Sequence, residues 1–168
     1  METKKHRIFL DSNVILSGLF SERGTPRLIL DLLSLNLPFL TGMTGRFNFA
    51  EIERNLEKKM AEALPAYRLC LPKLKLDIIP YPSRVDLRPL VGTAEDKDLP
   101  VLASVVNGEA DHFVTGDKKL ISLIGRKGDF PVKTISPAEF LDKVLPEILG
   151  GRSQGTMLIE ESHRHGKE

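Results

Sequence analysis

Short, unbroken apolar runs alternate along this chain with longer stretches whose apolar residues recur at helical spacing. Residues 7–10 (Arg7-Ile8-Phe9-Leu10) form the first run and end in a polar cluster. A continuous run without polar alternation predicts a strand buried on both faces, as in a parallel sheet. Residues 14–20 predict a short helix. Gly24-Thr25-Pro26 then predicts a helix start, with Thr25 as N-cap and Pro26 in the first helical position. The helix of residues 26–35 carries Leu28, Ile29, Leu32 and Leu33 on one face. Residues 37–40 predict a second strand and residues 44–60 a helix with Phe49, Ile52, Leu56 and Met60 on its apolar stripe. Pro65 opens a helix over residues 65–71. Residues 76–79 predict a third strand, stopped by Pro80 and Pro82. Residues 83–97 read as irregular and charged.

The second half repeats the alternation. Residues 100–106 predict a helix, 112–115 a fourth strand, 118–124 a helix and 132–135 a fifth strand. Ser136-Pro137-Ala138-Glu139 has the form of a capping box and opens a helix to about residue 148. Strands alternating with helices define an α/β fold, here a Rossmann-like three-layer arrangement around a parallel sheet of about five strands. Residues 1–149 form one domain. Residues 150–168 read as a polar tail, either mobile in the monomer or docked on a partner, with one apolar trio, Met157-Leu158-Ile159.

Composition narrows the function classes. The chain has 168 residues, 41% hydrophobic and 28% charged, enough apolar material for a core without staples. The net charge is +1, from 24 basic and 23 acidic residues, so any nucleic-acid footprint must be local. The single cysteine, Cys70, cannot form an intramolecular disulfide and reads as a packed thiol, consistent with a reducing cytoplasm. The N-terminus holds too short an apolar run for a secretory signal. No stretch approaches the roughly 18 apolar residues of a membrane span.

The candidate chemistry lies in four acidic residues at predicted turns: Asp11 after the first strand, Glu51 in the helix of residues 44–60, Asp98 before the helix of residues 100–106, and Asp117 after the fourth strand. Ligands of parallel sheets bind outside the carboxyl ends of the strands, where Asp11 and Asp117 point. The helix opened by Asp98 can start at the same edge. Glu51 lies off its helix's apolar stripe, and helical geometry alone does not choose between Glu51 and Glu53. Several carboxylates in one pocket repel unless a cation neutralises them, and oxygen ligands without a Cys or His cluster suit Mg²⁺ or Mn²⁺. Each acid has a plainer reading: Asp98 and Asp117 as helix caps, Glu51 as a solvated helix residue. Asp11 closes a buried strand and needs partners. Asn13 is a turn residue or a hydrogen-bond donor to Asp11, and Thr115 a strand residue or a second such donor.

These residues carry a resemblance. Phe9-Leu10-Asp11-Ser12-Asn13-Val14, Ala50-Glu51-Ile52 with Leu56, Asp98 with Leu102-Ala103, and Val114-Thr115-Gly116-Asp117-Lys118-Lys119-Leu120 together resemble the PIN-domain family of metal-dependent ribonucleases. Ile135-Ser136-Pro137-Ala138-Glu139-Phe140-Leu141 looks like the close of its VapC-type toxins. The likeness spans roughly residues 6–148. It implies a Mg²⁺ or Mn²⁺ site made by Asp11, Glu51, Asp98 and Asp117, and hydrolysis of single-stranded RNA by metal-activated water. It also implies a homodimer and a cognate antitoxin. By motif position Glu51 is preferred over Glu53. The segment Gly92-Thr93-Ala94-Glu95-Asp96-Lys97-Asp98 is less regular than the family's, which leaves Asp96 as a ligand in place of Asp98 or beside it. Lys97, Lys118 and Lys119, with Arg126 and Lys127, are candidate phosphate contacts or an ordinary solvated surface.

A non-catalytic RNA- or protein-binding module of the same fold is the competing reading. A phosphatase with an aspartyl nucleophile would want a second acid two residues after Asp11, where Asn13 stands.

Overall fold

The structure, a computed structural model, describes residues 4–151. The expected polar tail lies, from residue 152 onward, outside the described residues. Five strands form one all-parallel sheet: β1 (His6–Leu10), β2 (Leu40–Gly45), β3 (Asp77–Ile79), β4 (His112–Val114) and β5 (Lys133–Ile135), in the order β3-β2-β1-β4-β5. Helices α1 (Ser12–Phe20) and α2 (Thr25–Ser34) link β1 to β2, and α3 (Arg46–Lys59) and α4 (Leu64–Cys70) link β2 to β3. A short turn of helix, α5 (Arg84–Leu87), and then α6 (Leu99–Asn107) precede β4. Helix α7 (Lys118–Lys127) leads to β5, and α8 (Pro137–Glu139) follows it, widening through Phe140–Val144 and continuing helically to residue 151.

β1 is central, and its apolar run divides between the two faces as a doubly covered strand requires. Ile8 and Leu10 join the core formed with α1, α2, α3 and α8, whereas Phe9 joins the opposite core with Met43, Leu102, Val105 and Phe113. All three are fully buried. The rings of Phe9 and Phe113, paired across β1 and β4, meet edge to face at 5.8 Å. At the start of the same strands the imidazoles of His6 and His112 stack and lie 2.8 Å apart, Nε2 to Nδ1. Among the described residues, no helix is long and apolar enough to cross a membrane.

The second strand and the second helix start differ from expectation. β2 begins at Leu40 rather than ending there, because Leu-Thr-Gly-Met-Thr-Gly has few of the bulky residues by which strands are recognised. Gly42 is needed in it: a Cβ there would lie 2.8 Å from Leu76 and 2.6 Å from Leu33. α2 is capped by Gly24, at φ 108°, and Thr25 is its first residue rather than its N-cap. The stretch read as irregular holds a true capping box, Ser83 and Asp86, each bonding the other's backbone N–H around α5.

α1 and α2 cross at Gly18. A methyl on Gly18 would lie 2.7 Å from Leu30 Cγ and 3.0 Å from the Pro26 carbonyl, which is backbone and cannot turn away. Gly18→Ala therefore should lower stability by about 1–3 kcal/mol through overpacking. Gly125 sits exposed inside α7 with open space around it. Gly125→Ala should raise stability by roughly 0.5–1 kcal/mol through helix propensity. Urea unfolding of the two variants checks both signs.

Candidate functional site

The carboxyl edge of the sheet is built around Asp11. β1 pairs with β4 through Leu10 and Val114, and one residue further Asp11 and Thr115 stand side by side. The Asp11 N–H bonds the Val114 carbonyl, and the Thr115 hydroxyl donates to Asp11 Oδ2 at 2.7 Å. The other oxygen, Oδ1, accepts the backbone N–H of Ser12 at 2.8 Å, which makes Asp11 the cap of α1. Asn13 and Asn48 each bring Nδ2 to 3.4 Å from this carboxylate. Asp11 is 8% exposed, and Thr115 and Asn48 are fully buried. Burial pushes its carboxyl up to about 6, against the pull of the Thr115 and Ser12 hydrogen bonds, with the charges of Glu51 and Asp98 adding to the rise.

Asp117 is reached through the same knot. Its N–H bonds the Thr115 hydroxyl at 3.1 Å, and its Oδ1 caps α7 by accepting Leu120 N–H at 3.1 Å. Asn13 Oδ1 accepts Gly116 N–H at 2.9 Å, an approach a side chain at Gly116 would crowd at 3.2 Å. Asp98 opens α6 and is half-buried. Desolvation raises its carboxyl above the ordinary range against the opposing charge of Lys97, and Asp117, Glu95 and Glu51 raise it further. Glu51 lies in the second turn of α3, not at its start. Asp11, Glu51, Asp98 and Asp117 all line one open cleft of about 270 Å³, with Ser12, Asn13, Asn55 and Lys97.

The two open pairings separate here. Glu51 lines the cleft, whereas Glu53 faces another way and pairs with Arg68 at 3.4 Å. Asp98 lines the cleft, whereas Asp96 is exposed and outside its lining. Of the candidate cations, Lys97 lines the cleft and pairs with Glu95 at 3.3 Å. Lys118 and Lys119 are exposed and outside the lining, and Lys127 donates to the Gly92 carbonyl.

Asn48 and Asn55 were not legible as site residues, yet with Glu51 they make a polar stripe at i, i+3 and i+7 on α3. That periodicity was the available signal. Asn48 also donates to Ser12 Oγ at 2.9 Å, fixing the start of α1 to α3.

The donors are hard oxygens, which suit Mg²⁺ or Mn²⁺, and the crowding of negative charge is what a divalent ion would relieve. Among the described residues no three of these groups already stand together as a ready-made ion cage. The set fits such an ion in chemistry and charge, and ion binding would have to complete the convergence.

A five-strand parallel sheet in this order, with an acid-lined cleft at its carboxyl edge, is a PIN-like α/β fold. The same architecture appears in solved structures of VapBC proteins. A chain of VapBC2 from Rickettsia felis, crystallised bound to a DNA fragment from its promoter, matches with a TM-score of 0.55 and 17% identity, over 77% of this chain and 98% of that one. A chain of VapBC-1 from nontypeable Haemophilus influenzae matches with a TM-score of 0.56 and 14% identity, over 79% and 98%. No family model matches the sequence, and no curated protein matches it.

The raised carboxyl of Asp11 has a consequence for stability. An acid whose folded-state pKa lies above its unfolded value holds its proton more tightly when folded, so stability falls as pH rises from about 4 through about 6. Without divalent ions, Asp11→Asn should remove up to about 3 kcal/mol of that loss. Its unfolding midpoint in urea should gain on the parent's between pH 5 and pH 7.5. An equal gap at both values would contradict the raised carboxyl.

Proposed function

We propose that the protein is a metal-dependent endoribonuclease of the PIN family that hydrolyses single-stranded RNA, acting as the toxin of a toxin–antitoxin pair. The observation that carries the proposal is the cleft itself. It holds a buried, hydrogen-bonded Asp11 together with Glu51, Asp98 and Asp117, drawn from four different elements. These four residues would hold Mg²⁺ or Mn²⁺. A bound divalent ion supplies activated water and neutralises phosphate charge.

The chain's own residues supply the rest. Thr115, Ser12 N–H and Asn13 fix both oxygens of Asp11, so the carboxylate needs no reorganisation to act. Lys97, on the rim, is placed to meet a phosphate, and the exposed Asn55 offers an amide to the nucleotide. The cleft is open, which suits an unpaired strand. The likeness to VapBC chains supports a protein antitoxin as partner; the homodimer is what the sequence resemblance implies. The single half-buried cysteine is in keeping with a cytoplasmic setting.

A non-catalytic RNA- or protein-binding module has one observation in its favour, the lack of three ready-grouped ligands among the described residues. One assay separates the readings: full-length protein with single-stranded RNA, in Mg²⁺ or Mn²⁺ and in EDTA. Cleavage should need the ion and fall about 100-fold or more in Asp11→Asn. Glu53→Gln, outside the cleft, should leave the rate unchanged. RNA retained without cleavage would establish the binding module instead, and cleavage persisting in EDTA would overturn the metal-dependent nuclease. The toxin role is read separately, as growth arrest on expression that the adjacent gene product relieves. Arrest absent, or present in Asp11→Asn as well, removes it.

A further inference from the structure

We propose that the opposite, amino edge of the sheet carries an anion site that takes a phosphate group. A second cleft, of about 180 Å³, opens there and shares no residue with the acidic one. Its walls come from the starts of β1, β2 and β3 and from the turns that follow α2 and precede β3. Lys5, Arg7 and Lys75 supply the charge, and Asn36 and Thr41 supply neutral polar groups. β1 is five residues long, so at about 3.3 Å per residue the two clefts lie at opposite ends of the strand.

Three cations face one carboxylate in this cleft. That carboxylate, Asp77, is 3.7 Å from the Arg7 guanidinium. Arg7 is fixed from behind by two hydrogen bonds to the Gly108 carbonyl, at 2.9 and 3.2 Å. Its charge is therefore held in place rather than freely waving. Among the described residues, Lys5 and Lys75 have neither an ion pair nor a side-chain hydrogen bond. Two cations without partners beside a fixed guanidinium form a local positive field in a chain whose total charge is only +1.

The backbone supplies an independent observation. Among the described residues, three non-glycine residues have positive φ, and two of them, Asn36 at 51° and Lys75 at 52°, line this one cleft. Lys75 ends the short helical turn Leu71–Leu74 in a left-handed conformation, the position where glycine is the unstrained choice. A lysine there retains strain, and Lys75 lines the cleft without an ion-pair partner among the described residues. Strain of this kind collects where a side chain is needed for function. The accessible lining is mostly polar, which favours a small hydrated anion over an apolar segment. Phosphate presents several acceptor oxygens to two ammonium groups and a guanidinium.

The test is a titration of the full-length protein with inorganic phosphate at constant ionic strength, read from backbone amide NMR shifts. Shifts at Asn36, Thr41, Gly42 and Lys75 should saturate together. Lys75→Gly relieves the backbone and should fold at least as well as the parent, with affinity about tenfold weaker. Adding Lys5→Gln should abolish saturation. Adenosine monophosphate in a parallel titration distinguishes the sources: tighter binding than inorganic phosphate assigns a nucleotide-borne group, and weaker binding a free anion. Shifts that never saturate in the parent, or an unchanged affinity in Lys75→Gly, overturn the site.

Discussion

The hydrogen bond from Thr115 to Asp11 is the contact on which the carboxyl edge depends. It joins the ends of the two central strands, with Thr115 fully buried and Asp11 nearly so at the wall of the cleft. A carboxylate at 8% exposure is tolerable only because its oxygens are satisfied, one by Thr115 and the other by Ser12 N–H. The same threonine oxygen accepts Asp117 N–H, so a single hydroxyl sets the positions of two of the four acids. Asn13 closes the ring by approaching Asp11, Thr115 and Gly116 together. Asp11 and Asp117 are thus positioned by one shared hydrogen-bond network.

The other two acids are held differently. Among the described residues, Asp98 and Glu51 make no side-chain hydrogen bond to the knot but bear on Asp11 through charge. Their own elements place them: α6 begins at Leu99 with Pro100 in its first turn, and α3 turns Ile52 and Leu56 inward so that Glu51 and Asn55 face the cleft. The four carboxylates are therefore unequally held, one pair by hydrogen bonds and the other two by the placement of their elements. Asn48 bridges the two halves, because it reaches Asp11 and Ser12 from the helix that carries Glu51.

The legible parts of the chain were those where one physical rule acted alone. β1 showed as an unbroken apolar run because both its faces are covered, and Asp11 and Asp117 showed because they directly follow or nearly follow central strands. β2 hid because Gly42 serves close packing against Leu33 and Leu76 and Gly45 against Asn48 and Ser104, a tertiary demand with no local sign. Glu51 and Glu53 were inseparable until Arg68, fifteen residues away on α4, occupied Glu53. Asp96 and Asp98 separated only through the turn Asp96–Asp98, which leaves the first exposed and brings the second to the cleft. Asn48 carried no signal of its own, since a lone polar residue near a helix start usually caps or faces water.

Net charge was the least informative of all, and the fold explains why. A parallel sheet has direction: every strand starts at one edge and ends at the other. Acids placed after strands therefore gather at the carboxyl edge, and cations placed before strands gather at the amino edge. Asp11 and Asp117 follow β1 and β4, while Lys5 and Lys75 precede β1 and β3. Nearly equal numbers of the two signs can then sum to +1 while the charged lining of one cleft is mainly acidic and that of the other mainly cationic. For a chain of this class, the position of each charge relative to strand ends carries the electrostatic information that the total discards.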